Sequence, residues 1–245
     1  MAKKVLIEKL SEPLNGATTV KFDINVGDGN LTVDPLPSSE PVLASGTLEY
    51  LETQGLPTHT LASRNGQSLL TLNAGRGRQP WFRFPWSACN GATHWQLHLN
   101  PRVSSDITAH SNGGNVKLNL SGMAVTCVSV ETGGGNVNVV LPDSTADLDV
   151  VAGTGGGNIT VELGRHTTGS NAVNAKSGAG NVVVHIPGSL AARIYATTGL
   201  GKVILDPRFS KIADNTYQSS DFDRAANKVE IIAQSGAGNV SVGTK

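Results

Sequence analysis

A seven-residue unit, Gly-x-Gly-Asn-Val-x-Val, constrains this chain more than any other feature, because a fixed internal period dictates a repeat architecture. Its first copy is Gly27-Asp28-Gly29-Asn30-Leu31-Thr32-Val33 and its last is Gly236-Ala237-Gly238-Asn239-Val240-Ser241-Val242. Between them the anchoring Asn falls at Asn115, Asn136, Asn158 and Asn181, and Lys202 replaces it in one copy. From Asn115 to Lys202 the steps are 21, 22, 23 and 21 residues. The step to Asn239 is 37, which implies an insertion, and 85 residues separate Asn30 from Asn115.

Alignment on the Asn exposes a second regularity. Eight residues before it stand Phe22, Ile107, Val128, Val150, Val173, Ile194 and Ile231. Six before it stand Ile24, Ala109, Val130, Ala152, Ala175, Ala196 and Ala233; four before it are Ser or Thr in every copy but the first, which has Val26. The first and third positions after it are always Val, Ile or Leu. This period-two alternation marks strands with one buried face. Each unit of about 22 residues therefore carries two short strands around a Gly-rich corner, and Pro or Gly stops the second, as in Leu141-Pro142 and Ile186-Pro187.

One such unit cannot bury its inner face, but stacked units bury a continuous core. A meander with hairpin loops at the Gly corners is the competing arrangement. Identical residue types at the same inward position favour vertical stacking at about 4.8 Å. The expectation is an all-β chain, a single-stranded β-solenoid (β-helix or β-roll), forming one domain over residues 1–245. Residues 1–35 supply an opening strand and first coil, and residues 36–104 a less regular β insertion. Asn65-Gly66 in that insertion signals a hairpin. Residues 105–245 supply regular coils with a polar excursion at 208–227. The 29 Gly residues belong to these corners; together with 11 Pro they remain below the share that marks disorder.

These units resemble the bacterial toast-rack β-solenoid family, known as adhesin-like proteins and similar to the C-terminal domain of LiaF-like envelope-stress regulators. Val33-Asp34-Pro35-Leu36-Pro37, Trp95-Gln96-Leu97-His98-Leu99-Asn100-Pro101 and the closing run from Tyr217 to Val240 share in the resemblance. It implies a β-solenoid with a non-catalytic interaction role and carries over no active-site residues.

The corner column Asn30, Asn115, Asn136, Asn158, Asn181 and Asn239 is expected to be structural. Gly is expected there for positive φ, with the Asn side chains pointing inward and bonding corner backbone and the Asn above or below, and Ser or Thr four residues earlier doing likewise. A dinucleotide loop would need a helix after the Gly turn, and a calcium repeat would need recurring Asp where only Asp28 occurs. His94 and His98 share a strand face but are too few for a zinc site. Cys89 and Cys127 are expected to be ordinary thiols. Trp81, Phe82, Arg83, Phe84 and Trp86 concentrate aromatics in one run. They are expected either to plug the stack or to form a partner surface.

Nineteen basic and nineteen acidic residues cancel, so the basic footprint of a nucleic-acid binder is missing. No apolar run reaches the roughly 18 residues of a membrane helix. The opening Met1-Ala2-Lys3-Lys4-Val5-Leu6-Ile7 lacks a secretory core, which points to the cytoplasm. Three classes compete: a non-enzymatic interaction or scaffold protein of adhesin type, linked to the envelope; a self-assembling solenoid; and a carbohydrate-active β-helix. Stacked outward columns starting at His110 and at Lys117 assemble no paired acids. The first class is therefore expected, with no catalytic residue, cofactor or metal, and with an unidentified protein or envelope component as partner. Because Val240-Ser241-Val242 lies at the end of the sequence, the final coil is expected to be open. It would then either mediate a homodimer or be covered by the excursion.

Overall fold

The computed structural model of the protein describes residues 4–37, 41–75 and 93–245. The aromatic run Trp81–Trp86 and Cys89 lie outside the described residues. Strands dominate, and the single helical element among the described residues is a 3₁₀ turn at Glu52–Gln54. The alternation seen in the repeat builds two long sheets packed face to face, joined at one side by the Gly corners.

One sheet of eleven strands carries the segment before each corner. Its parallel centre runs Thr19–Asn25, Ser104–Ser111, Val125–Thr132, Asp149–Thr154, Ser170–Ser177, Lys228–Ser235 and Ala191–Thr198. The other sheet, of ten strands, carries the segment after each corner. Its parallel centre is Asn30–Pro35, Val116–Asn119, Val137–Val140, Ile159–Glu162, Val182–Ile186, Val240–Thr244 and Val203–Leu205. Equivalent repeat positions stand in register, as in Val128 beside Ile107 and Val150, so each inward column is a vertical stack. Every residue of the two inward columns before the Asn is buried, and they merge with the facing Val, Ile and Leu columns in one core. Each large side chain buried this way contributes roughly 1.5–3 kcal/mol, and the repeat multiplies that gain coil by coil. A third, two-stranded ladder, Ser144–Ala146 with His166–Thr168, closes the side opposite the corners in two central coils.

The order of coils in space differs from their order in sequence, and this corrects the expectation of an open final coil. Lys228–Ser235 pairs on one edge with Ser170–Ser177 and on the other with Ala191–Thr198. Val240–Thr244 likewise lies between Val182–Ile186 and Val203–Leu205. The chain skips one slot after Ile186, builds the terminal coil at 191–205, and returns through the excursion to fill the slot. Both edges of the last coil are thus occupied within one chain, so it can neither be an open end nor carry the expected dimer. The excursion instead covers the skipped-ahead coil: Phe209–Ala213 and Thr216–Ser219 form an antiparallel hairpin on the edge of Ala191–Thr198.

The opposite end follows the same logic. The coil at 19–35 is interior, and the insertion supplies the next layer outward through Gln67–Asn73 and His94–Leu99. Thr58–Arg64 turns back on Gln67–Asn73 through Asn65 and Gly66, whose φ values of 52° and 77° suit a tight two-residue hairpin. Val42–Leu51 and then Val5–Pro13 close the other sheet in antiparallel fashion. Trp95 is buried beneath them with its indole N–H donating to Glu49 O at 3.0 Å.

Candidate functional site

The most repetitive chemistry of the molecule is at the corners, and it is spent on the fold. Ser111, Thr132, Thr154, Ser177 and Ser235 point inward and are buried. Thr154 is representative: its hydroxyl donates to Gly135 O of the preceding coil at 2.8 Å and accepts the N–H of Gly157 in its own coil at 3.1 Å. Thr132, Ser177 and Ser111 repeat both bonds. This column, rather than the Asn column, satisfies the buried corner backbone.

The Asn side chains stand on the outside, contrary to the inward orientation expected from the sequence. Asn115, Asn136, Asn158, Asn181 and Asn239 are exposed and Asn30 is half-buried. Strand alternation explains this, since the residue after each Asn is inward and buried. Each Asn Oδ1 accepts the main-chain N–H of the Asn in the next coil: Asn136 N–H to Asn115 at 2.9 Å, Asn158 N–H to Asn136 at 2.8 Å, and Asn181 N–H to Asn158 at 2.9 Å. The amide nitrogens of Asn136, Asn158 and Asn181 donate to the same oxygens at 3.1–3.3 Å. The series continues from Asn181 to Asn239 and ends on Lys202, whose N–H takes Asn239 Oδ1 at 3.0 Å.

The glycines also have a different cause from the one expected. Of the corner glycines only Gly27 has positive φ. A Cβ on Gly114, Gly135, Gly157, Gly180 or Gly238 would instead meet the carbonyl oxygen of the stacked glycine at 2.0–2.3 Å. Close coil-to-coil approach therefore excludes any side chain. The middle corner position is free, with nothing within 4 Å of a Cβ at Gly134, and Ala179, Ala237 and Leu200 occupy it elsewhere.

The outer sheet faces hold the remaining chemistry. His94 and His98 lie on one outer face, as strand alternation requires. Among the described residues no three His, Cys, Asp or Glu side chains are grouped to hold a metal ion. On the eleven-stranded sheet Cys127 stands between Asp106 and Asp149 in register. Burial first, then the two carboxylates, push its thiol upward, with Lys21 opposing, so it stays protonated and a poor nucleophile.

Further along the same face the surface becomes concave, a feature the column-by-column reading missed because it alters coil order. Restoring that order gives two aligned rows across four strands. One is Asp149, Ala172, Glu230, Arg193; the other is Val151, Asn174, Ile232, Tyr195. Together with Thr216 of the capping hairpin they line a cleft of about 380 Å³. Arg193 is held firmly there. Its Nε donates to Gln218 at 2.9 Å, its Nη2 lies 3.1 Å from Asp223, and its guanidinium sits 4.4 Å above the Phe222 ring.

Residues 2–162 match the family model described as the N-terminal domain of toast_rack, DUF2154. Among solved structures the chain is similar to a "putative cell adhesion protein" from Clostridium sporogenes ATCC 15579, with a TM-score of 0.71 at 22% identity, covering 99% of this chain and 100% of that one. Weaker likenesses are a "putative adhesin" from Bacteroides fragilis NCTC 9343, TM-score 0.35 at 8% identity with 98% of each chain covered, and one from Parabacteroides distasonis ATCC 8503, TM-score 0.32 at 9% with 99% and 98% covered. No curated protein matches the chain.

Proposed function

The chain belongs to the toast_rack family, and from that premise we propose that it is a non-enzymatic interaction protein of the adhesin kind that displays the outer face of its eleven-stranded sheet to a component of the bacterial envelope. The observation that carries this reading is the aligned display itself. Parallel strands hold outward side chains in fixed rows across neighbouring coils, and a concave part of that display is the cleft beside Tyr195. Such a rigid surface loses little freedom on binding, which favours recognition. The likeness to the "putative cell adhesion protein" from Clostridium sporogenes supports the same reading.

Self-assembly through the ends is the weaker alternative. Both edges of the final coil are filled, and the two outermost strands of the ten-stranded sheet are guarded by brevity or charge. Val203–Leu205 has three residues, and Val5–Pro13 carries Glu8, Lys9, Glu12 and Pro13.

The test is retention on the immobilised full chain of purified peptidoglycan sacculi, surface polysaccharide and outer envelope protein, each kept separate. At least one fraction is expected to be retained saturably and recovered chemically unchanged. Failure to retain any of them, or release of cleaved products, would contradict the proposal.

A further inference from the structure

The geometry points to a binding site for a short neutral oligosaccharide in the cleft between Asp149 and Tyr195. This inference rests on the interaction reading and adds the ligand class to it.

The floor and one wall are apolar. Val151 and Ile232 face outward in one row with Asn174 between them, Ala172 lies in the neighbouring row, and Tyr195 stands at the end of the first row with 40% of its surface exposed, Ile232 with 39%. A phenol ring and an isoleucine left this open in the cleft offer a surface for a partner with an apolar face of its own. Polar groups border that floor, and the charged ones besides Arg193 are acceptors. Asp149 and Glu230 carry carboxylates, which only accept hydrogen bonds when ionised. Asn174 sits between Val151 and Ile232 in its row, and its amide oxygen is buried without a hydrogen-bond partner. The cleft therefore calls for a donor-rich molecule with an apolar face. A pyranose provides both, hydroxyls around its edge and C–H groups on its flat side.

Charge and backbone narrow the class further. Arg193 is the cation of the site, but Asp223 at 3.1 Å and Glu230 at 3.8 Å already balance it. With Asp149 added, three carboxylates outnumber Arg193 and the neighbouring Lys228, whose ammonium lies 5.4 Å from the same Phe222 ring, so the rim disfavours phosphates and uronic acids. An extended peptide would seek main-chain pairing at a strand edge, whereas this sheet presents a face whose main-chain groups are engaged in parallel ladders. From Val151 to Tyr195 the row crosses three strand spacings, roughly 14 Å, which suits several linked rings better than one. The walls are set in advance, because Arg193 is fixed by Gln218, Asp223 and Phe222 before any ligand arrives.

The experiment is an amide-resolved NMR titration of the full chain with cellotetraose, mannotetraose and tetra-N-acetylchitotetraose, with tetragalacturonate as the charged counterpart. At least one neutral tetrasaccharide is expected to shift the amides of Ala172, Asn174, Ile232 and Tyr195 saturably, while tetragalacturonate leaves them in place. Tyr195→Ala and, independently, Ile232→Ser are each expected to weaken that binding by about tenfold or more. Both positions are exposed, so spectra away from the cleft should be unchanged. The assignment is overturned if no neutral tetrasaccharide shifts these amides, if both variants bind as well as the wild type, or if tetragalacturonate binds equally. Retention of an envelope fraction by Tyr195→Ala at the wild-type level would also overturn the cleft while leaving the interaction reading intact. Loss of retention by the wild-type chain would instead strike the broader reading.

Discussion

At the level of single residues the repeat divides into positions that look alike in sequence but carry different loads. Gly134 and Gly135 are neighbours in one corner, yet a Cβ at Gly134 meets nothing within 4 Å and one at Gly135 lies 2.0 Å from Gly114 O. Gly135→Ala is expected to lower stability by about 3 kcal/mol, since two coils must part to admit the methyl. Gly134→Ala should remain within about 0.5 kcal/mol of the wild type. Chemical denaturation of the pair decides this. A similar contrast separates Thr154 from Asn158. Thr154→Val strands a buried carbonyl and a buried N–H, at a cost of about 1–3 kcal/mol. Asn158→Ala exposes its former partners to water and should cost no more than about 1 kcal/mol. Equal midpoints for the two variants, or a greater loss in Asn158→Ala, would show that the outer column is the stronger one. The inward columns and the Ser/Thr position were legible from alternation alone. The facing of the Asn was equally legible, because the buried residues immediately after it force it outward, but a buried polar ladder is the habitual expectation for a repeated amide. The identity of Gly was visible, while its cause was not: close approach between coils depends on a neighbour some 20 residues away.

Among the elements, the informative one is the strand that fills the skipped slot. Every interior coil donates the N–H following its Asn to the carbonyl of the next rung: Val116 to Asn136, Val137 to Asn158, Ile159 to Asn181, Val182 to Asn239 and Val240 to Lys202. Val203 has no next rung. Val240→Pro therefore removes an interior bond and is expected to cost about 2–4 kcal/mol. Val203→Pro, on a free edge where proline is tolerated, should cost less than about 1 kcal/mol. Thermal or urea unfolding of the two variants gives the comparison, and equal losses would place Val240 at an edge. Coil order was hidden in the sequence because all contacts between coils are of the same types, Gly on Gly, Asn on Asn and Val on Val. A coil with these residues fits beside either neighbour. One residue did carry some of the information. Lys202 has no side-chain carbonyl to offer a following rung, which suits its coil's place at the end of the stack.

For the whole molecule, interior placement of both the first and the last repeat copies leaves three of the four sheet edges to antiparallel strands outside the repeat and the fourth to the parallel repeat strand Val203–Leu205. Val5–Pro13 and Thr58–Arg64 finish one end, and the hairpin at 209–219 covers one sheet at the other. With only the three-residue strand Val203–Leu205 of the terminal coil left at an edge, light scattering is expected to give the mass of one chain, 25.4 kDa, at high concentration; a doubled mass would show that this short edge suffices for pairing. The stack is the platform on which the cleft depends, since Ile232 comes from the last coil while Asn174 and Tyr195 come from the coils on either side of it. Interleaving is thus what assembles the proposed binding face. Native-state hydrogen exchange tests it most directly. If the last coil is interior, the amides of Val240 and Val242 exchange only by global unfolding, as slowly as those of Val137 and Val161, while the amide of Val203 exchanges far faster. Rapid exchange at Val240 with protection at Val203 would contradict the interleaved stack.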